Sequence, residues 1–217
     1  MDYSAIVLCA GKGSRSGLSY NKMLYRFNDK TVYEMTMSVF LQDQRCKQIV
    51  VVTKEEEINE IKELVNDKRI VYVFGGKERQ DSVYNGLQVV NQKIVLIHDG
   101  ARPYLTIDNI DSLLECLTNN DACLLMVPVK DTIKLCQDGK VVETLPRNLL
   151  MQAQTPQAFK TSLIKECYQR AKDEKYEATD DASLVEKFTE VPVMAVCGSY
   201  ENIKITTPED LKWQKLK

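Results

Sequence analysis

The sequence predicts an α/β fold: a mostly parallel sheet with helices on both faces and a β-hairpin arm protruding from it. Three observations carry this. Apolar runs rich in β-branched residues recur at 5–9, 48–53, 70–74, 94–98, 122–129 and 191–196. Segments with apolar residues at helical spacing lie between them. Strands that are apolar throughout are buried on both faces, which is how parallel sheets are built. One segment breaks the pattern: 131–144 alternates polar and apolar residues about Asp138-Gly139, as a two-stranded hairpin with a tight turn does.

The first strand runs straight into Ala10-Gly-Lys-Gly-Ser-Arg15. Gly11 and Gly13 let backbone amides approach a ligand closely, because neither carries a Cβ. Successive amides in such a turn form an anion-binding concavity, and Lys12, Arg15 and Lys22 bring positive charge to it. The ligand this predicts is a phosphate chain. Spacing excludes two common phosphate loops. No stretch supplies G-x-x-x-x-G-K-[ST], and Gly11-x-Gly13-x-x-x-Gly17 places its third glycine one residue late for a dinucleotide fingerprint. The ribose-binding acid expected after a second strand is missing too, since that strand ends in Thr53 and Lys54.

The remaining elements follow in order. Ile58, Ile61, Leu64 and Val65 recur at helical spacing, with Glu and Lys on the other face. After Gly75-Gly76, Val83, Leu87 and Val90 mark the next helix. Ile107, Ile110, Leu114 and Leu117 mark another, with Thr106 as its N-cap. A further helix runs over about 161–171. The last opens at Thr207-Pro-Glu-Asp210, where Thr caps, Pro takes the first helical position and the acids suit the positive end of the dipole. Ligands of such sheets bind beyond the carboxyl ends of the strands, so the loops after Cys9, Phe74, His98 and Val129 share one rim. A lone hairpin is marginally stable in water, so the arm packs either on a second subunit or on its own domain.

Length and composition bound the function. At 217 residues the chain reads as one domain, 1–217, with the arm at 130–150. A content of 44% hydrophobic and 28% charged residues is that of a globular protein. A net charge of −2 gives no general attraction for nucleic acid or an anionic membrane. No apolar run is long enough to span a bilayer, and no cationic segment precedes an apolar one at the N-terminus, so no secretory signal is expected. Cys9, Cys116, Cys123, Cys167 and Cys197, five of the seven cysteines, sit in apolar strands or helix faces and read as core residues of a reducing compartment. One histidine and no C-x-x-C pair leave little room for zinc. The expected location is the cytoplasm.

The loops, taken together, resemble a known family. Leu8-Cys-Ala-Gly-Lys-Gly-Ser-Arg15 followed by Lys22 is the L-x-A-G-x-G-x-R pattern of nucleotidyltransferases. Gly75-Gly-Lys-Glu-Arg-Gln-Asp-Ser82, His98-Asp-Gly-Ala-Arg-Pro103, Pro128-Val-Lys-Asp-Thr-Ile133, Gln154-Thr-Pro-Gln-Ala-Phe159, Thr179-Asp-Asp-Ala-Ser-Leu-Val185 and Asn202-Ile-Lys-Ile-Thr206 follow in order. The chain resembles the 2-C-methyl-D-erythritol 4-phosphate cytidylyltransferases along nearly its whole length. The ribitol-5-phosphate cytidylyltransferases share most of these stretches, but the Asp131-Thr-Ile and Thr179 stretches favour the first family. The resemblance implies a Rossmann-like, nucleotidyltransferase-type sheet. It also implies transfer of CMP from CTP to methylerythritol phosphate with release of pyrophosphate, in the non-mevalonate isoprenoid pathway.

Roles for individual residues come from the same resemblance. Arg15 and Lys22 would stabilise the pentacoordinate phosphorus and the departing pyrophosphate, as fixed cations beside a glycine loop can. Ala10, Gly11, Gly13 and Gly100 would belong to the nucleotide site, and Gly75, Gly76, Arg79 and Ser82 to the loop that contacts cytosine and ribose. Asp99 would hold Mg²⁺, which typically takes only one or two protein carboxylates. Thr132, Arg147, Thr179 and Lys204 would bind methylerythritol phosphate, with Arg147 and Lys204 orienting its phosphate. In the family the arm exchanges between subunits, which implies a homodimer with Thr132 and Arg147 serving the partner's site. The attacking phosphate is already anionic, so His98 reads as structural rather than as a base. Departures are few: Asn21-Lys22-Met23 replaces a common Pro-Lys-Gln, which is expected to loosen that loop, and Gly100 replaces Ala.

Overall fold

The computed structural model describes residues 1–11, 17, 18 and 20–211. In chain order the strands are β1 (Tyr3–Leu8), β2 (Arg26–Phe27), β3 (Lys30–Thr31), β4 (Cys46–Thr53), β5 (Ile70–Phe74), β6 (Ile94–Asp99), β7 (Ala122–Pro128), β8 (Lys134–Gln137), β9 (Lys140–Thr144), β10 (Met151–Lys160) and β11 (Val193–Cys197). The helices are α1 (Val32–Gln42), α2 (Ile58–Leu64), α3 (Arg79–Val89), α4 (Ile107–Cys116), α5 (Thr161–Glu174) and α6 (Asp181–Phe188). Seven strands form one sheet in the order β11-β7-β10-β6-β1-β4-β5, and only β10 runs antiparallel to its neighbours.

The apolar strands are buried on both faces, as their composition requires. Side chains alternate across a strand. Ala5, Val7, Ile49 and Val51 pack with α1, α2 and α4, whereas Ile6, Val50 and Val52 pack with α3, α5 and α6. Gly86 brings α3 close to the sheet: a Cβ there would stand 3.1 Å from the methyls of both Ile6 and Val52.

The chain places β4 and β5 on one side of β1, then returns to place β6 on the other. The switch point lies between β1 and β6, where Leu8 pairs with Asp99. Open α/β sheets leave their ligand crevice at this point, beyond the carboxyl ends of the strands.

The hairpin is β8–β9, closed by Asp138 and Gly139 at φ 49° and 75°. Two successive positive φ values give a turn whose twist matches its strands. Both strands are exposed throughout, and Val141 and Val142 are 62% and 58% exposed. The arm is therefore not a flap packed on its own chain.

Several features differ from the sequence-based expectations. Helix α1 and strand β10 were not expected. The strand hides its signal because Gln154, Thr155 and Gln157 are polar yet buried, and a register shift between Ala153 and Gln157 interrupts the pairing around Pro156. The cap of α6 is Asp180, whose side chain accepts from the Ser183 N–H. At the C-terminus Asp210 accepts from the N–H groups of both Thr206 and Thr207, and most of the helix expected from Thr207 lies outside the described residues. Finally, Cys197 is exposed on the edge strand and Cys116 is half-buried, while Cys9, Cys46, Cys123 and Cys167 are buried.

Candidate active site

A cavity of about 490 Å³ opens at the switch point. Its wall brings together Ala10, Gly11, Lys22, Gly76, Arg79, Ser82, Asp99 and Lys204 of the expected site residues. Lys22, Lys54, Lys77, Arg79 and Lys204 set five cations in the lining against the carboxylates of Glu78 and Asp99. The site is therefore locally cationic in a chain whose net charge is −2, which suits a polyphosphate.

Asp99 is the electrostatic centre. Its Oδ2 takes the Lys204 ammonium at 2.8 Å, with the Arg102 Nε 3.8 Å away, and its Oδ1 accepts from Arg79 Nε at 3.3 Å. Burial would raise its pKa, but Arg79, Lys204 and Arg102 prevail and hold it well below the ordinary carboxylate range. The backbone beneath it is fixed by the neighbouring histidine. His98 is fully buried, with Nε2 3.1 Å from the Arg102 carbonyl and Nδ1 3.1 Å from the Thr155 hydroxyl. A carbonyl can only accept, so the proton belongs on Nε2 and the Thr155 hydroxyl donates to Nδ1. That hydroxyl in turn accepts from the Asp99 N–H at 3.0 Å. Burial lowers the His98 pKa to about 4, so the ring is neutral and structural, as expected from the chemistry.

Arg79 is held from two sides. Its terminal nitrogens donate to both oxygens of Asp181 at 2.9 and 2.8 Å, and the Tyr168 hydroxyl donates to the same carboxylate. Asp181 has no solvent exposure. A buried carboxylate thus pins the guanidinium that bridges to Asp99. Nothing in the sequence pattern singles out Asp181 for this role; its one signal is that a second acid directly follows Asp180.

The loop before α3 is shaped by contact. Ser82 Oγ accepts from the Gly76 N–H at 3.0 Å and donates to the Glu78 carbonyl at 3.1 Å. A Cβ on Gly75 would lie 2.5 Å from the Ala10 Cβ, and one on Gly76 would lie 2.2 Å from the Asp81 Cβ. Both glycines are therefore dictated by close approach. Gly100 lies behind the cavity floor, donating to the Leu8 carbonyl at 3.0 Å. A Cβ there would meet that same carbonyl at 2.8 Å and Met23 Sδ at 2.9 Å. The two departures, Gly100 and Met23, hence occupy one space and compensate each other.

Lys22 and Lys204 converge through the extended segment 202–206. The Ile205 N–H bonds to the Ala101 carbonyl at 2.9 Å, and Lys22 Nζ donates to the Ile205 carbonyl at 2.7 Å. Asn21 does not loosen this region. It is 5% exposed and caps the 3-10 turn Lys22–Leu24 through Met23 N–H.

Other expected residues lie elsewhere. Thr132 is exposed at the base of the arm, Arg147 donates from there to the Lys130 carbonyl at 2.8 Å, and Thr179 is exposed before α6. None of the three lines the cavity of its own chain. Gly13 and Arg15, with Lys12, fall outside the described residues. Among the described residues no group of three His, Cys, Asp or Glu could hold a metal by itself, and no helix is long and apolar enough to cross a membrane.

Comparison with known proteins agrees with this geometry. The family model described as 2-C-methyl-D-erythritol 4-phosphate cytidylyltransferase matches residues 3–216. The chain is 46% identical to the enzyme of that name from Halalkalibacterium halodurans, over 97% of this chain and 94% of the relative. It is 45% identical to the one from Clostridioides difficile, over 96% and 90%. The crystal structure of 4-diphosphocytidyl-2C-methyl-D-erythritol synthase from Anaerococcus prevotii superposes with a TM-score of 0.89, at 32% identity, covering 99% of this chain and 95% of that one. By full-length sequence match and by fold, this chain belongs to the 2-C-methyl-D-erythritol 4-phosphate cytidylyltransferase family.

Proposed function

We propose that this chain transfers the cytidylyl group of CTP to 2-C-methyl-D-erythritol 4-phosphate, releasing pyrophosphate. The observation that carries the reading is the cationic cavity at the β1–β6 switch point, where Lys22, Lys204 and Asp99 meet the start of a glycine-rich loop. A phosphate oxygen of the acceptor attacks the α-phosphorus of CTP, a new P–O bond forms, and the bond to the β-phosphate breaks with pyrophosphate as leaving group. Both reactants are anionic, so no side chain needs to remove a proton. What the protein supplies is placement and cations where charge accumulates. Lys22, together with Arg15, serves the transferring and leaving phosphates; Lys204 orients the attacking one.

Asp99 suits a magnesium ion. It is the carboxylate at the cavity floor, is held ionised, and faces a space where nucleotide oxygens and water would complete the coordination. The ion, when bound, supplies Lewis-acid neutralisation of the phosphates. Lys204 now occupies Asp99 Oδ2 and would be freed to meet the acceptor phosphate. We further propose that the enzyme is a cytoplasmic homodimer in which each exposed arm delivers Thr132 and Arg147 to the partner's cavity. This reading is supported by the arm's exposed valines and by the fact that neither residue belongs to the lining of its own cavity.

The test is pyrophosphate release with Mg²⁺ and CTP, comparing methylerythritol 4-phosphate with ribitol 5-phosphate. Turnover with the first alone is expected. Turnover with ribitol phosphate would reject the acceptor and leave the nucleotide site standing. Binding of CTP without turnover on either would reject the enzymatic reading.

A further inference from the structure

The Asn21 side chain lines the cavity and makes three hydrogen bonds, and nothing in the reaction uses it directly. Its Oδ1 accepts from the Met23 N–H at 3.0 Å. Its Nδ2 donates one hydrogen to the Cys9 carbonyl at 2.9 Å and the other to Glu57 Oε2 at 2.6 Å. The amide has one acceptor and two donor hydrogens to place, and each faces a group of the right kind, so its orientation is fixed. The second Glu57 oxygen takes the Lys54 ammonium at 2.8 Å. Cys9 is in turn tied to β4, its N–H donating to the Val52 carbonyl at 2.7 Å. Asn21, Lys54 and Cys9 all line the cavity. Three separate stretches thus meet at one carboxamide: the end of β1, the turn that carries Lys22, and the loop after β4.

We propose that Asn21, Glu57 and Lys54 form a positioning network that sets the placement of Lys22 in the cavity. The inference rests on the role given to Lys22 above. Lys22 follows Asn21 directly, and its carbonyl accepts from the Tyr25 N–H at 3.1 Å, so capping at Asn21 fixes the whole turn. A misplaced cation loses more against the transition state, where phosphate charge is redistributed, than against bound CTP. The network therefore acts on kcat rather than on KM.

Pyrophosphate release is to be measured for N21A, N21P, K22A and the double variant N21A/K22A, with melting temperatures as control. Expected is a fall in kcat of about tenfold or more for N21A, with KM for CTP within about threefold. Proline suits the observed φ of −62° at position 21, so N21P is expected to recover most of that kcat although it restores none of the side-chain bonds. On the K22A background, loss of Asn21 is expected to cost less than about twofold, because a residue that acts through Lys22 has nothing left to position. If N21A fails to fold, E57A, alone and combined with K22A, carries the same cycle. Wild-type kcat in folded N21A, or losses that simply multiply in the double variant, overturns the network. Wild-type turnover in K22A overturns the role of Lys22 and the network with it.

Discussion

Asp181 is a residue whose removal this structure makes costly. It is fully buried, with both carboxylate oxygens engaged by Arg79 and one of them also by the Tyr168 phenol. Removing one partner of a buried ion pair typically costs about 3–5 kcal/mol, because the other is left uncompensated. The Arg79 side chain is 33% exposed, so the lower end applies. Asp181→Asn is thus expected to cost about 3 kcal/mol, seen in calorimetry as a melting point lower by roughly 6–12 °C for a chain of this size. An unchanged melting point would mean that Arg79 finds water or Asp99 instead. His98 yields a prediction of the opposite kind. Its folded pKa of about 4 lies below the unfolded value near 6.5, so the unfolded state binds the extra proton between them. Its stabilisation is fully present above pH 6.5 and is lost as pH falls towards 4, a change of about 3 kcal/mol. Denaturant unfolding of wild type and His98→Gln across pH 4–7 checks this: the variant's stability should fall less steeply. Lys22, Asp99 and Lys204 were legible at this scale because each sits in a motif with a fixed order in the chain. Asp181 was not, because an acid in a helix's first turn already has a sufficient local explanation.

Elements were legible in proportion to how local their signal is. The hairpin was readable because alternation and an Asp-Gly turn lie within a dozen adjacent residues, and β1, β4, β5, β6, β7 and β11 because they are unbroken apolar runs. Helix α1 had a readable start that was overlooked: Thr31 accepts from the Glu34 N–H while Glu34 accepts from the Thr31 N–H, a capping box spelled T-x-x-E. Strand β10 had none, since its buried polar residues serve other parts of the site. Thr155 holds His98 and Asp99, and Gln157 donates to Asp180 and accepts from the Ala182 N–H. Such a strand is recognisable only once its partners are in place. The arm carries the prediction proper to this scale. Val141 and Val142 point to opposite faces of β9 and both are exposed, so Val141→Asp/Val142→Asp removes apolar contact on either face without disturbing the core. The expected outcome is a wild-type dimer and a variant that sediments as a monomer with unchanged circular dichroism. A variant that remains dimeric would move the interface away from the arm.

At the scale of the whole molecule, one chain builds a cavity that lacks two of the residues proposed to serve it. The sheet gathers Lys22, Asp99 and Lys204 from positions far apart in sequence to one switch point, while Thr132 and Arg147 ride on an arm that leads away. If the arms exchange, each active site is a composite: Lys22 from one subunit, Arg147 from the other. This arrangement makes a prediction that a site confined to one chain cannot mimic. Homodimers of K22A and of R147A are each expected to keep only a small residual activity, because every site in them lacks one cation. A heterodimer of the two has one site with both defects and one with neither, since the R147A subunit keeps its own Lys22 and receives an intact Arg147 from its partner. Random exchange of equal amounts makes half the dimers mixed, so about a quarter of all sites, and about a quarter of wild-type activity, should return. Native mass spectrometry establishes that subunits have exchanged, and pyrophosphate release measures the recovery. Recovery near a quarter requires that Lys22 and Arg147 act across the dimer. Exchanged heterodimers that stay inactive would place both residues in the same chain's site and rule out exchange of the arms.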